Sequence, residues 1–201
     1  NIFTEGLKGN IPTVRFNFEN PGLRPPAYEI TVEATGDAEY SARDEESTDP
    51  STGTRRKFQV TKATRDRIFE LTANLKQFRG DYEFRKHKVA FSGHKTLTYT
   101  EGAEEYSTKF NWSENKDITE LAGIFQGIAT TIQSEAQLLY LRKHDRLGLD
   151  AQLKSMESQA KSGWLKEIRI ISKVLNEIKN DGSVMRMARE RAERLLRLAG
   201  N

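Results

Sequence analysis

The chain carries three histidines, His87, His94 and His144, and no cysteine. Without cysteine there is no disulfide framework, no zinc thiolate site and no thiol nucleophile. His87 and His94 flank one short apolar segment, and Glu104 and Glu105 fall on a later segment of the same expected sheet. A His/Glu metal site is conceivable there, but the spacing fits no helical or hairpin ligand motif and a third ligand is unassigned. Polar histidines at strand ends are therefore the reading taken, and no metal is expected. Ser92-Gly93-His94 reads as a turn, and no G-x-S-x-G elbow is present. The carboxylates of Asp44-Glu45-Glu46 lie in a Ser- and Pro-rich stretch, residues 43–56, where solvation keeps their pKa values ordinary. No phosphate-binding glycine loop occurs. No catalytic or cofactor-binding residue is assigned, no cofactor is expected, and an enzyme is not the reading.

Cations offer more. Arg186, Arg189, Arg191, Arg194 and Arg197 crowd the last helical segment, against Glu190 and Glu193. Such arginines could grip phosphates, and they are the candidate binding surface. The competing reading is a solvated helix face, because Glu190/Arg194 and Glu193/Arg197 stand four apart and cations suit a helix C-terminus. Tyr82, Phe84, Arg85, Lys86 and Lys88 interleave rings with charge, as a base-stacking platform or as a guarded strand edge. The net charge is +3 and the pI about 9.0. Residues 1–115 hold 17 basic and 18 acidic side chains, residues 116–201 hold 15 and 11, so the excess is C-terminal. It is too small to imply nucleic acid by itself.

The elements that must position these residues are read from hydrophobic period. Val14, Phe16 and Phe18 alternate, as do Tyr28, Ile30 and Val32, and Thr35-Gly36-Asp37 turns the latter into a partner strand at 38–42. Lys57 to Val60 predicts a short strand, and Thr61 caps a helix to about Gln77 that Gly80 stops. From Lys88 to Trp112 the alternation predicts three short antiparallel strands: one around Val89 and Phe91, one around Leu97 and Tyr99, and one through Tyr106, Thr108, Phe110 and Trp112. Glu101-Gly102 makes the last two a hairpin. Ser113 or Asn115 caps a long helix with Ile118, Leu121, Phe125, Ile128, Ile132, Ala136 and Leu139 on one stripe, laid across the sheet. Gly123 and Gly127 permit close approach of another element. Leu149, Leu153 and Met156 mark a short helix; Leu165 to Ile178 marks another; Val184, Met187, Ala188, Leu195 and Leu198 mark the last. No apolar run is long enough for a membrane span.

Residues 26–135, through Pro26-Ala27-Tyr28-Glu29-Ile30-Thr31-Val32, Gly36-Asp37, Tyr40 and Asp117-Ile118-Thr119-Glu120-Leu121, resemble a small bacterial domain of unknown function. In that domain a Tyr-x-Ile-x-Ile strand and a glycine turn precede a helix and a further hairpin. This chain inverts the Asp-Gly order expected at the turn. The whole is similar to uncharacterised exported bacterial proteins, and residues 165–199 resemble one HEAT-type helical hairpin through Leu175, Ile178, Asp181, Val184, Arg189, Ala192, Leu195 and Leu196. Neither resemblance implies an activity or a catalytic residue.

The expected fold is α+β: an antiparallel sheet packed by two helices, followed by a C-terminal helical hairpin or bundle. The expected division is a sheet domain with its long closing helix at 1–145 and a helical segment at 146–201. The expected function is a non-catalytic, extracytoplasmic binding protein with a protein or peptide partner. The alternatives are a binder of nucleic acid or anionic surfaces through the C-terminal arginines, and an uncharacterised hydrolase. A first residue that is Asn1 and not Met suits either a removed export signal or a boundary chosen within a longer sequence; a secreted or periplasmic location is expected, with a cytoplasmic one as the alternative.

Overall fold

A computed structural model describes residues 10–43 and 53–200. The acidic stretch singled out above lies largely outside the described residues. Contacts divide the chain into two compact units that meet at Phe125 and Gln126, inside the long helix.

The first unit holds the expected sheet. Strands β1 (Thr13–Glu19), β2 (Ala27–Glu33), β3 (Asp37–Arg43), β4 (Gly53–Gln59), β5 (His94–Glu101) and β6 (Glu104–Phe110) form one antiparallel sheet in the order β4-β3-β2-β1-β5-β6. Register follows the apolar alternation. Phe16 sits opposite both Ile30 and Leu97, and Val14 opposite Val32 and Tyr99, so one face is apolar across the sheet's centre. Gly36 (φ +95°) and Gly102 (φ +59°) turn the β2–β3 and β5–β6 hairpins, in backbone regions that other residues rarely adopt.

Two helices cover the apolar face. Helix α1 (Lys62–Asn74) opens on Thr61, whose hydroxyl accepts from the Thr64 amide at 3.3 Å, and it buries Ile68 and Leu71. A short 3-10 turn, Lys76–Phe78, then seals Phe78 inside. Helix α2 (Lys116–His144) is capped by Asn115, whose side-chain oxygen accepts from the amides of Asp117 and Ile118. Its Ile118, Leu121 and Phe125 are buried, and the Phe125 ring stacks on Phe16 at 5.3 Å between centroids. Arg67 of α1 clasps the Glu120 carboxylate of α2 with two bonds of 2.7 Å.

Two expectations for this unit fail locally. Residues 88–93 form no strand. Their main-chain groups go to a side chain instead of a ladder: the Ser92 amide donates to the Asn111 side-chain oxygen at 2.8 Å, and the Asn111 side-chain nitrogen donates to the Ala90 carbonyl at 3.1 Å. β6 stops at Phe110, which is buried, whereas Trp112 is 43% exposed and packs edge-on against Phe84 at 4.6 Å.

The second unit is a helical bundle: the latter part of α2, then α3 (Gly148–Lys161), a 3-10 turn at Ile168–Ile171, α4 (Ser172–Asn180) and α5 (Arg186–Ala199). Its core joins Leu138, Leu141, Leu149, Leu153, Met156, Leu165, Ile171, Leu175, Ile178, Ala188, Ala192 and Leu195. Ile128 and Ile132 are buried as expected, but the stripe then changes face. In the bundle's core Leu138 and Leu141 are buried in place of Ala136 and Leu139. In α5 the alanines at 188 and 192 face inward, and Met187 and Leu198 face out.

Candidate functional site

The three histidines do not assemble a centre. His87 packs on Phe84 at 4.7 Å, His94 on Phe91 at 5.0 Å, and His144, in the second unit, on Tyr140 at 4.8 Å. Among the described residues no group of three or more His, Cys, Asp or Glu side chains is placed to hold a metal ion.

The C-terminal arginines are largely turned to carboxylates of their own bundle. Arg191 bonds Asp150 at 2.8 Å and Glu157 at 2.6 Å, and Arg194 bonds Glu157 at 2.5 Å. Burial alone would raise the Glu157 carboxyl, but hydrogen bonds from Arg194 and Arg191 outweigh it and hold the group below its usual range. Arg186 pairs with Glu190 along the helix, and Glu193 pairs with Lys179 of α4 rather than with Arg197. Arg189 is half-buried, with its Nε enclosed and bonded to nothing among the described residues. Arg186 and Arg197 remain exposed.

A polar cluster that the period of the sequence did not signal closes the end of β5 and β6. The Lys95 side chain, 8% exposed, donates to the carbonyls of Asn111 (2.7 Å) and Gly93 (3.1 Å) and to the Ser92 hydroxyl (3.1 Å). Glu83 accepts the Asn111 amide at 2.6 Å and the Trp112 amide at 3.4 Å. Burial pushes the Lys95 amine down, opposed by the charge of Glu83. Ser92 and Lys95 stand three apart, the one sequence signal that points here. The arrangement is nevertheless that of an ammonium. All three amine protons have acceptors, so no lone pair is offered to the serine, whose own oxygen has Asn111 acceptors at 3.2 Å. The cluster pins the irregular segment 81–93 to the end of β6, and two cations of that segment are paired as well: Arg85 with Asp81 and Lys86 with Glu114, both at 2.7 Å.

The sheet's two edges differ. Along β6, Arg79 lies over the Tyr106 ring at 4.0 Å and ion-pairs Glu104 at 3.8 Å, and the Thr108 hydroxyl donates to the Gly80 carbonyl at 3.0 Å. The chain that follows α1 thus packs on the helix-side face of this edge strand. At the other end, β4 pairs with β3 alone among the described residues. Its seven residues, Gly-Thr-Arg-Arg-Lys-Phe-Gln, are exposed or half-buried throughout. Every second backbone amide and carbonyl of β4 therefore points outward from the ladder. On the face away from the helices, Lys57 stands opposite Glu39, Arg55 opposite Ser41, and Arg55 reaches Glu39 at 3.5 Å. Glu29, Thr31, Glu33, Asp37, Glu39 and Lys57 line a shallow groove of about 530 Å³ on that same face. Its composition is that of the solvated side of a half-covered sheet.

The arrangement can hold an extended chain along β4. It offers no activated nucleophile, no acid–base pair and no metal cradle among the described residues. The chain matches no protein-family profile, and no curated protein matches it.

Proposed function

We propose that the protein is a non-catalytic, extracytoplasmic binding module that takes a protein or peptide partner by addition of an extended strand to β4. The observation that carries this reading is β4 itself, a terminal strand whose seven exposed or half-buried residues have β3 as their one ladder partner among the described residues. Main-chain bonds to such an edge supply affinity, and alternate side chains supply selectivity.

The test is a selection from a random peptide display library on the full chain, followed by hydrogen–deuterium exchange with the selected peptides. Slowed exchange confined to residues 53–59 is the expected result. Failure to select any peptide, or protection only elsewhere, overturns the reading.

A further inference from the structure

We infer that the strand received by β4 is acidic at alternate positions, an inference that rests on strand addition at that edge. β4 carries Arg55, Arg56 and Lys57 in succession and no carboxylate. Arg55 and Lys57 share the open face with their inner neighbours on β3, Ser41 and Glu39. Each row across the sheet thus runs from polar or acidic on β3 to cationic on β4, and then to an empty position. A carboxylate there would lie directly opposite a cation, the favourable cross-strand pairing. The Arg55 side chain is 78% exposed even with Glu39 beside it, so it is open to a second carboxylate.

The same residues argue against a second copy of the chain as occupant. Antiparallel pairing of β4 with itself about Arg56 would set Arg55 against Lys57 and Arg56 against Arg56, and like charges directly opposite are destabilising. A basic edge of this kind blocks self-association and at the same time selects for acid. On the helix side of β4 stand Thr54, Arg56 and Phe58, with Arg56 and Phe58 half-buried. The complementary strand therefore alternates Glu or Asp on the open face with β-branched or apolar residues beside Thr54 and Phe58 on the other.

The experiment uses three fluorescein-labelled peptides of equal length on the full chain: one alternating Glu with Val or Thr, one with Lys in place of Glu, and one of the first composition with its glutamates in a block. Binding is followed by anisotropy at low salt and at about 0.5 M salt, where exposed pairs are screened. The alternating acidic peptide should bind at least about tenfold more tightly than the lysine peptide, lose most of that advantage in high salt, and outbind the blocked sequence. The double variant Arg55→Glu/Lys57→Glu should keep its circular dichroism and invert the preference. Equal binding of the acidic and lysine peptides, with protection of residues 53–59, refutes the acidic rule while leaving strand addition standing. No binding by any of the three, or protection of 53–59 by concentrating the chain alone, overturns both.

Discussion

Gly127 and Gly123 occupy equivalent positions one turn apart on α2, and the structure assigns them opposite sensitivities to the same change. A Cβ built on Gly127 would lie 2.4 Å from Lys166 Cγ and 3.1 Å from Lys166 Cβ, whereas one on Gly123 meets nothing within 4 Å among the described residues. The approach at Gly127 is held by main-chain and side-chain bonds. The Lys166 amide donates to the Gly127 carbonyl at 3.2 Å, and the Thr131 hydroxyl lies 2.6 Å from the Lys166 carbonyl. For Gly127→Ala, forced overpacking costs about 1–3 kcal/mol. Weakening the Thr131 bond adds about 1 kcal/mol, and the better helix propensity of alanine returns about 1 kcal/mol. The net loss is about 1–3 kcal/mol, or a fall in Tm of roughly 2–10 °C for a chain of this size. Gly123→Ala keeps only the propensity gain and should be neutral or stabilised by up to about 1 kcal/mol. Thermal and urea unfolding of both variants, and of Gly127→Ala combined with Lys166→Ala, decide the matter. The second substitution removes the 2.4 Å contact and should restore most of the loss. A Gly127→Ala protein as stable as the Gly123→Ala protein would refute the reasoning, as would a double variant no better than the single one.

Phe16→Ala, which removes a fully buried ring stacked on Phe125, should cost about 3–5 kcal/mol in urea unfolding monitored by circular dichroism. Because the Glu157 carboxyl is held low in the folded state, its contribution is present above the unfolded value of about 4.3 and fades as pH falls through the folded value. Glu157→Gln should accordingly flatten the acid limb of the stability curve, read by unfolding between about pH 5 and 2. The Lys95 amine is pushed down, so the unfolded chain binds more protons between the folded value and about 10.4, and stability rises with pH there. Lys95→Met should abolish that rise in unfolding measured from pH 8 to 10.5.

Much of the sheet was legible because its alternation is clean and its turns carry glycine. Tyr28, Ile30 and Val32 with Gly36, and Leu97 and Tyr99 with Gly102, announce the two hairpins that the structure forms there. Residues 88–93 alternate equally well and form no strand, since period does not report that the Asn111 side chain takes the Ser92 amide and the Ala90 carbonyl in place of a ladder partner. The change of face on α2 after Ile132 was hidden for a related reason: Leu138 and Leu139 are chemically interchangeable, and only the bundle's placement selects Leu138. The arginines of α5 suggested local partners at i,i+4, whereas Arg194 reaches Glu157 on α3, a choice made by tertiary proximity and partial burial. The open edge at β4 was not readable at all. Its residues were expected as a shorter strand, and strand order is a property of the assembled sheet.

That order also bears on how the protein comes to exist. β1 lies between β2 and β5, so its Phe16 must wait for Leu97, some eighty residues later, before its second flank is closed. On a ribosome the first four strands emerge as an incomplete layer whose central member is temporarily an edge, and the long loop closure slows its completion. Nascent chains halted before residue 94 should therefore be the species that chaperones hold, and a fragment spanning β5 and β6, supplied in trans, should be able to dock onto them.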